Sequence, residues 1–402
     1  MVPSFVRSSF VRSSRTRSPL RRLGRLASAL AIALGATLPA PPADAATAEE
    51  TERTRTRMRE IFTSMQLLLP LSVTGGFDDA AQRERVTRAL EALAGDADLL
   101  AAHAGEHDPA RRYLGRSLAS DARNALERFQ EGRTDSAAFL VQQATENCIA
   151  CHTKLRSPED SPLTPTFVDS SALAALRPEE RARLQIATRQ FDDALTTLEG
   201  LFTDPKVHPA AMLGPLTDYL LIALRVQGDF ERPVPVLERF AKRPDLWVQL
   251  RGDVEQWIRD LRDLRKLAEG PAELSTARRL IEDARAQQPL GADQRHLVRY
   301  VMASGMLHRW LEAGDHPPAE QGEAWYLLGA AELQTGDTFW LSQTDFYLET
   351  AIRQAPGTPA AQRAYELLEA ETIASFTGAA GVDLPTSVGQ RLAELRKLAE
   401  KR

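Results

Sequence analysis

The sequence predicts an all-α protein, a four-helix bundle followed by an α-solenoid of helical repeats. Three observations predict this. Only 6% of the 402 residues are aromatic, while Ala, Leu, Arg and Glu abound, and these are strong helix formers. Apolar residues recur at helical spacing through the first third of the chain. Further on, three apolar segments each close on a Gly-Asp pair, at Gly228-Asp229, Gly314-Asp315 and Gly336-Asp337. Glycine tolerates the positive φ of a helix end.

The first 45 residues read as an export signal. Arg7, Arg12, Arg15, Arg17, Arg21, Arg22 and Arg25 form a basic lead, Leu26 to Leu38 is mostly apolar, and Ala43-Asp44-Ala45 is a small-x-small cleavage site. The apolar run falls short of the ~20 residues that span a bilayer. A periplasmic, non-membrane-spanning mature chain is therefore expected. The whole chain has 50 Lys+Arg and 55 Asp+Glu; without the seven arginines and one aspartate of the leader, the balance falls to −11. Such acidity argues against nucleic acid and anionic membrane surfaces as partners.

Residues 46–156 parse into four helices. The first, about 49–69, lines up Met58, Ile61, Phe62, Met65, Leu68 and Leu69 on one face, with Pro70 expected to stop it. The second is expected from Asp78 to about His103, with Val86, Ala89, Leu90 and Leu93 inward. Asp108-Pro109 is a cap followed by proline at the first helical position, opening a third helix that ends before Gly132. The fourth begins near Asp135 and carries Ala137, Val141, Ala144, Cys148, Cys151 and His152 in one stripe.

That last helix holds the only two cysteines, in Cys148-Ile149-Ala150-Cys151-His152. This is the spacing of covalent haem attachment. Positions i, i+3 and i+4 share a helix face, so two thiols can each reach a haem vinyl group while the imidazole addresses the iron. A thioredoxin-like pair would sit beside a strand-rich βαβ pattern, and none precedes this helix. A zinc site needs four ligands, and no second cysteine pair exists. A disulfide between consecutive turns of one helix would constrain almost nothing. The motif predicts one haem c, held through Cys148 and Cys151, with His152 as an iron ligand.

The segment Cys148 to Arg156 resembles the C-x-x-C-H-x-x-(Tyr/Phe)-Arg ending of the cytochrome c′ family, with Leu155 where an aromatic is usual. In the family's first-helix pattern, Arg-x-x-x-(Leu/Met), Met58 fills the last position and Thr54 stands at the first. The resemblance covers about residues 50–157 and implies a bundle whose haem lies near the end of the fourth helix. It also implies Met58 on the distal side. In an up-down-up-down bundle the start of helix one lies beside the end of helix four, which makes Met58 the candidate sixth ligand ahead of Met65. Without that bond the iron would be five-coordinate.

Residues 157–171, with Pro158, Pro162 and Pro165 among Ser, Thr and Asp, are expected to be a linker. Beyond them, residues 172–402 resemble tetratricopeptide repeats: Trp325, Leu328 and Gly329 match the opening of that signature, and Ala351 and Pro356 match its close. Ala187 to Leu195 resembles the second helix of such a repeat. Solenoids present concave faces to partners, and a bundle of ~110 residues is already the size of a complete domain. The expected work is one-electron transfer to or from a redox partner protein in the periplasm, with the repeats docking that partner and a homodimer through the bundle left open. The alternatives are a gas-binding or sensing haem protein and a periplasmic scaffold or assembly protein. No acid/base or nucleophile constellation points to an enzyme.

Overall fold

The computed structural model describes residues 43–103, 109–154, 176–287, 294–314, 316–335, 341, 343–378 and 381–401, with the side chains of 43–51 and 103 outside that description. Nearly all of the stretch expected to be an export leader, and all of the expected 157–171 linker, therefore lie outside the described residues. The regular structure among the described residues is helical, apart from a two-residue-per-strand hairpin pairing β1 (Thr377–Gly378) with β2 (Gly381–Val382). Among the described residues, no helix is long and apolar enough to cross a membrane.

Helices α1 (Ala43–Thr74), α2 (Arg83–His103), α3 (Pro109–Gln130) and α4 (Thr134–His152) come first. Their inward residues are those the periodicity singles out. Ile61, Met65 and Leu68 meet Val86, Leu90 and Leu93, then Leu118, Ala125 and Phe129, then Ala137, Val141 and Ala144 in one apolar core. Two boundaries differ from expectation. Pro70 does not stop α1, which continues to Thr74. Proline removes one helical donor, but Leu71 beyond it still packs on the core, and the helix ends where Gly75 turns to φ 77° with Gly76 N–H donating to the Leu71 carbonyl at 2.9 Å. α2 begins at Arg83, not Asp78, because the Asp79 carboxylate accepts the Ala81 N–H at 2.9 Å and holds the chain in a turn.

The remaining helices are α5 (Pro178–Ala187), α6 (Phe191–Thr203), α7 (Leu213–Leu220), α8 (Pro233–Ala241), α9 (Val248–Ala268), α10 (Leu274–Ala286), α11 (Leu297–Glu312), α12 (Pro318–Thr335), α13 (Gln343–Gln354), α14 (Pro359–Ser375) and α15 (Thr386–Ala399). A 3₁₀ turn, Pro209–Met212, precedes α7, and a π-helical turn, Leu221–Gln227, follows it. The stretch 187–195 is not one helix. Arg189 at φ 59° breaks it into the end of α5 and the start of α6. Gly228 at φ 69° and Gly314 at φ 144° end their helices as expected; Gly336 lies outside the described residues. α12 and α13 pack closely through Gly329, where an added Cβ would sit 2.6 Å from Leu348.

The apolar core of these later helices is not walled off from the earlier ones. It takes in Ala110 of α3 and Ile149 of α4, while Leu184 of α5 inserts into the α1–α4 core.

Candidate functional site

α4 is built from good helix formers on an apolar stripe, and it delivers Cys148, Cys151 and His152 to one face of its last turns. All three are half-buried, and both cysteines are free thiols. Their surroundings differ. Cys148 packs against the core of the later helices, and its Sγ lies 3.9 Å from the Ala144 carbonyl. Cys151 packs with Leu114, Ala150 and Leu341, beside Tyr113, whose ring stacks on Phe346 of α13 at 4.4 Å. Burial, with Cys151 and Glu146 adding to it, pushes the Cys148 thiol up to about 12, so it stays protonated. Among the described residues no three His, Cys, Asp or Glu side chains converge to hold a bare metal ion.

His152 is fixed from outside its own helix. Its Nδ1 lies 2.9 Å from the carbonyl of Ala187, the last residue of α5. A carbonyl can only accept, so the neutral ring must carry its proton on Nδ1, which leaves the Nε2 lone pair for a ligand bond. The carbonyls of a helix's last turn have no helical donor, and the imidazole fills that vacancy for Ala187. Burial, then the charge of Arg189, hold His152 down at about 4 against the pull of the carbonyl. A neutral imidazole with an oriented Nδ1–H is the form in which histidine binds metals. Two same-face thiols and this imidazole fit covalently held haem.

The opposite face of α4 is polar and tied to the later helices. Arg183 of α5 donates to Glu146 at 2.5 and 2.6 Å and to Asp218 of α7 at 2.7 Å. Thr153, which closes α4 by bonding back to the Ile149 carbonyl, is reached by Arg225 Nη2 at 3.4 Å. Arg225 comes from the π-helical turn and donates through Nη1 to Glu332 of α12 at 2.6 Å and to Ser304 of α11 at 3.1 Å. His308 stands 3.9 Å from the same Glu332. Burial raises Glu332, but Arg225, His308 and Thr335 outweigh it and hold the carboxyl at about 2. Burial holds His308 at about 4, with Arg225 and Lys154 adding to the effect and Glu332 opposing it.

Met58 is half-buried and packs on the α1–α4 core; Met65, 7% exposed, belongs to that core itself. Neither methionine is among the apolar groups packed around Cys148 or Cys151. Arg55 faces Glu52 at 3.7 Å in an exposed pair. His107 and the side chain of His103 lie outside the described residues.

Sequence reasoning missed Ala187, Arg183, Arg225 and Glu332. A carbonyl has no residue signature, and the Arg225–Glu332 pair joins positions 107 apart. One local signal was present: Arg225 and Glu332 each interrupt an otherwise apolar run, Tyr219 to Val226 and Tyr326 to Leu333. A charge in such a run must find a partner when buried. Comparisons with family models, with curated proteins and with solved structures return no match to this chain.

Proposed function

We propose that this chain is an exported c-type cytochrome that carries single electrons in the periplasm. In this reading α1–α4 form a four-helix bundle, and one haem c is joined through Cys148 and Cys151. Cys148 and Cys151 would hold the haem as thioethers, each thiol adding across a vinyl group, a linkage that would need no oxidant. When bound, the haem supplies the redox centre. The chain's own groups do the rest: His152 offers Nε2 to the iron, Ala187 holds that ring in place, and the later helices cover Cys148 and limit water. The single observation that carries the reading is the His152 Nδ1–Ala187 carbonyl contact on the face that presents both thiols. The later helices form a tetratricopeptide-like solenoid that docks a redox partner protein.

A second reading, a five-coordinate haem that binds small gases, is favoured by the packing of Met58 among core residues apart from the cysteines' neighbours. The visible spectra of wild type and Met58→Ala separate the two. Electron transfer with Met58 bound to iron expects a low-spin wild type and a high-spin, carbon monoxide-binding variant. A high-spin wild type that already binds carbon monoxide, and is unchanged in Met58→Ala, expects the gas-binding role. A chain that takes up no haem at all sinks both.

A further inference from the structure

α5 ends on a left-handed turn. Arg189, at φ 59°, is the single non-glycine residue with a positive φ among the described residues. That conformation is disfavoured wherever a Cβ is present. The hydrogen bonds show what the turn achieves. Thr188 N–H donates to the Leu184 carbonyl at 3.0 Å, Arg189 N–H to that of Ile186 at 3.0 Å, and Gln190 N–H to that of Gln185 at 2.8 Å. The last two form a Schellman closure, whose left-handed position is usually glycine. The last carbonyls of a helix have no helical donor, and here the turn itself fills those of Leu184, Gln185 and Ile186. Ala187 comes next, and its carbonyl lies 2.9 Å from His152 Nδ1.

A left-handed residue other than glycine is held by its surroundings, and such residues cluster at functional sites. Glycine would close α5 without strain, so the reason for an arginine lies in its side chain. Arg189 is half-buried, two residues beyond the carbonyl that holds the ring, and its guanidinium charge acts on the imidazole. The carbonyl and the cation pull in opposite directions. Donation from Nδ1–H to a carbonyl makes a ligand imidazole more basic. A fixed positive charge nearby favours the state with one positive charge fewer, which is the reduced one.

We propose that Arg189 is a positioning residue for His152, its left-handed backbone leaving the Ala187 carbonyl open to Nδ1–H and its charge offsetting the basicity that this bond confers. The inference rests on the cytochrome reading, in which Nε2 is offered to iron.

Three variants of the full mature chain test it. Arg189→Gly keeps the left-handed turn and removes the charge. With haem bound, its equilibrium constant for reduction by a fixed mediator should fall about threefold or more, while the haem-free chain denatures no more easily than wild type. Arg189→Lys keeps the charge and should keep the wild-type potential. Arg189→Val is β-branched and resists a positive φ. With its circular dichroism unchanged, nitrogen NMR of the haem-free chain at neutral pH should show His152 losing the Nδ1–H form that wild type and Arg189→Gly retain. The signal is assigned by its absence from His152→Gln. A residue that merely ends α5 would leave the potential of Arg189→Gly unmoved. That result overturns the proposal, as does a lowered potential in Arg189→Lys or an Nδ1–H form retained in Arg189→Val. A chain that takes up no haem overturns the cytochrome reading instead, and the nitrogen spectra then decide the positioning of His152 by themselves.

Discussion

The two ends of α4 are built by different rules. Around Ala137, Val141 and Ala144 the helix faces an apolar interior made by α1, α2 and α3, to which Leu184 and the partly buried Leu176 add from later in the chain. Around Cys148, Cys151 and His152 the later part of the chain makes up much of the surroundings: it covers Cys148, adds Leu341 beside Cys151, holds His152 through Ala187, and grips the back of the helix through Arg183 and Arg225. The first end is held by non-directional burial, which tolerates small shifts. The second is held by hydrogen bonds and ion pairs that fix one orientation. A ligand histidine needs the second kind of support.

The harshest way to break this contrast is to remove the later helices. A fragment of residues 46–160 keeps α2–α4 and all but the first three residues of α1, but loses the Ala187 carbonyl, the cover over Cys148 and the Leu184 plug. It is expected to stay largely helical by circular dichroism yet give a broadened visible spectrum with His152 poorly held. A fragment spectrum identical to that of the full chain would show that the bundle is self-sufficient, as its size alone suggests.

Smaller in reach is the loss of one clamp. Arg225→Ala leaves the Glu332 carboxylate buried without its guanidinium, a change that costs about 3–5 kcal/mol in comparable pairs. Chemical denaturation should show that loss, and the double variant Arg225→Met with Glu332→Leu should recover much of it. If the single variant is as stable as wild type, the pair does not clamp α4.

The gentlest test is pH. His308, packed against Glu332 with Arg225 and Lys154 nearby, has its value lowered from 6.5 to about 4 in the folded chain. Between pH 6.5 and 4 the unfolded chain therefore takes up a proton that the folded chain refuses, so stability falls as pH drops through this window and levels off below it. The whole effect is about 3 kcal/mol at most. His308→Gln should flatten that part of the stability curve, with His152 present in both proteins and cancelling from the comparison. Parallel curves for the two proteins would remove His308 from the network.

The helices and their inward faces were legible because apolar spacing is a local signal: Ile61, Leu90, Phe129 and Val141 lie where periodicity places them. The motif was legible because its chemistry depends on spacing within one helix. The extension of α1 through Pro70 was not, since the burial of later residues overrode a local breaker. Nor was the break at Arg189, a left-handed turn at a residue with no glycine to announce it. The support of His152 was least legible, because it comes from a backbone carbonyl 35 residues away.

The most direct measurement is the mass of the exported mature chain after full denaturation, alongside that of Cys148→Ala with Cys151→Ala. Wild type should weigh the polypeptide from about residue 46 plus one haem, with the haem lost in the double variant. A denatured wild type that weighs only its polypeptide would contradict covalent attachment and, with it, the role given to His152.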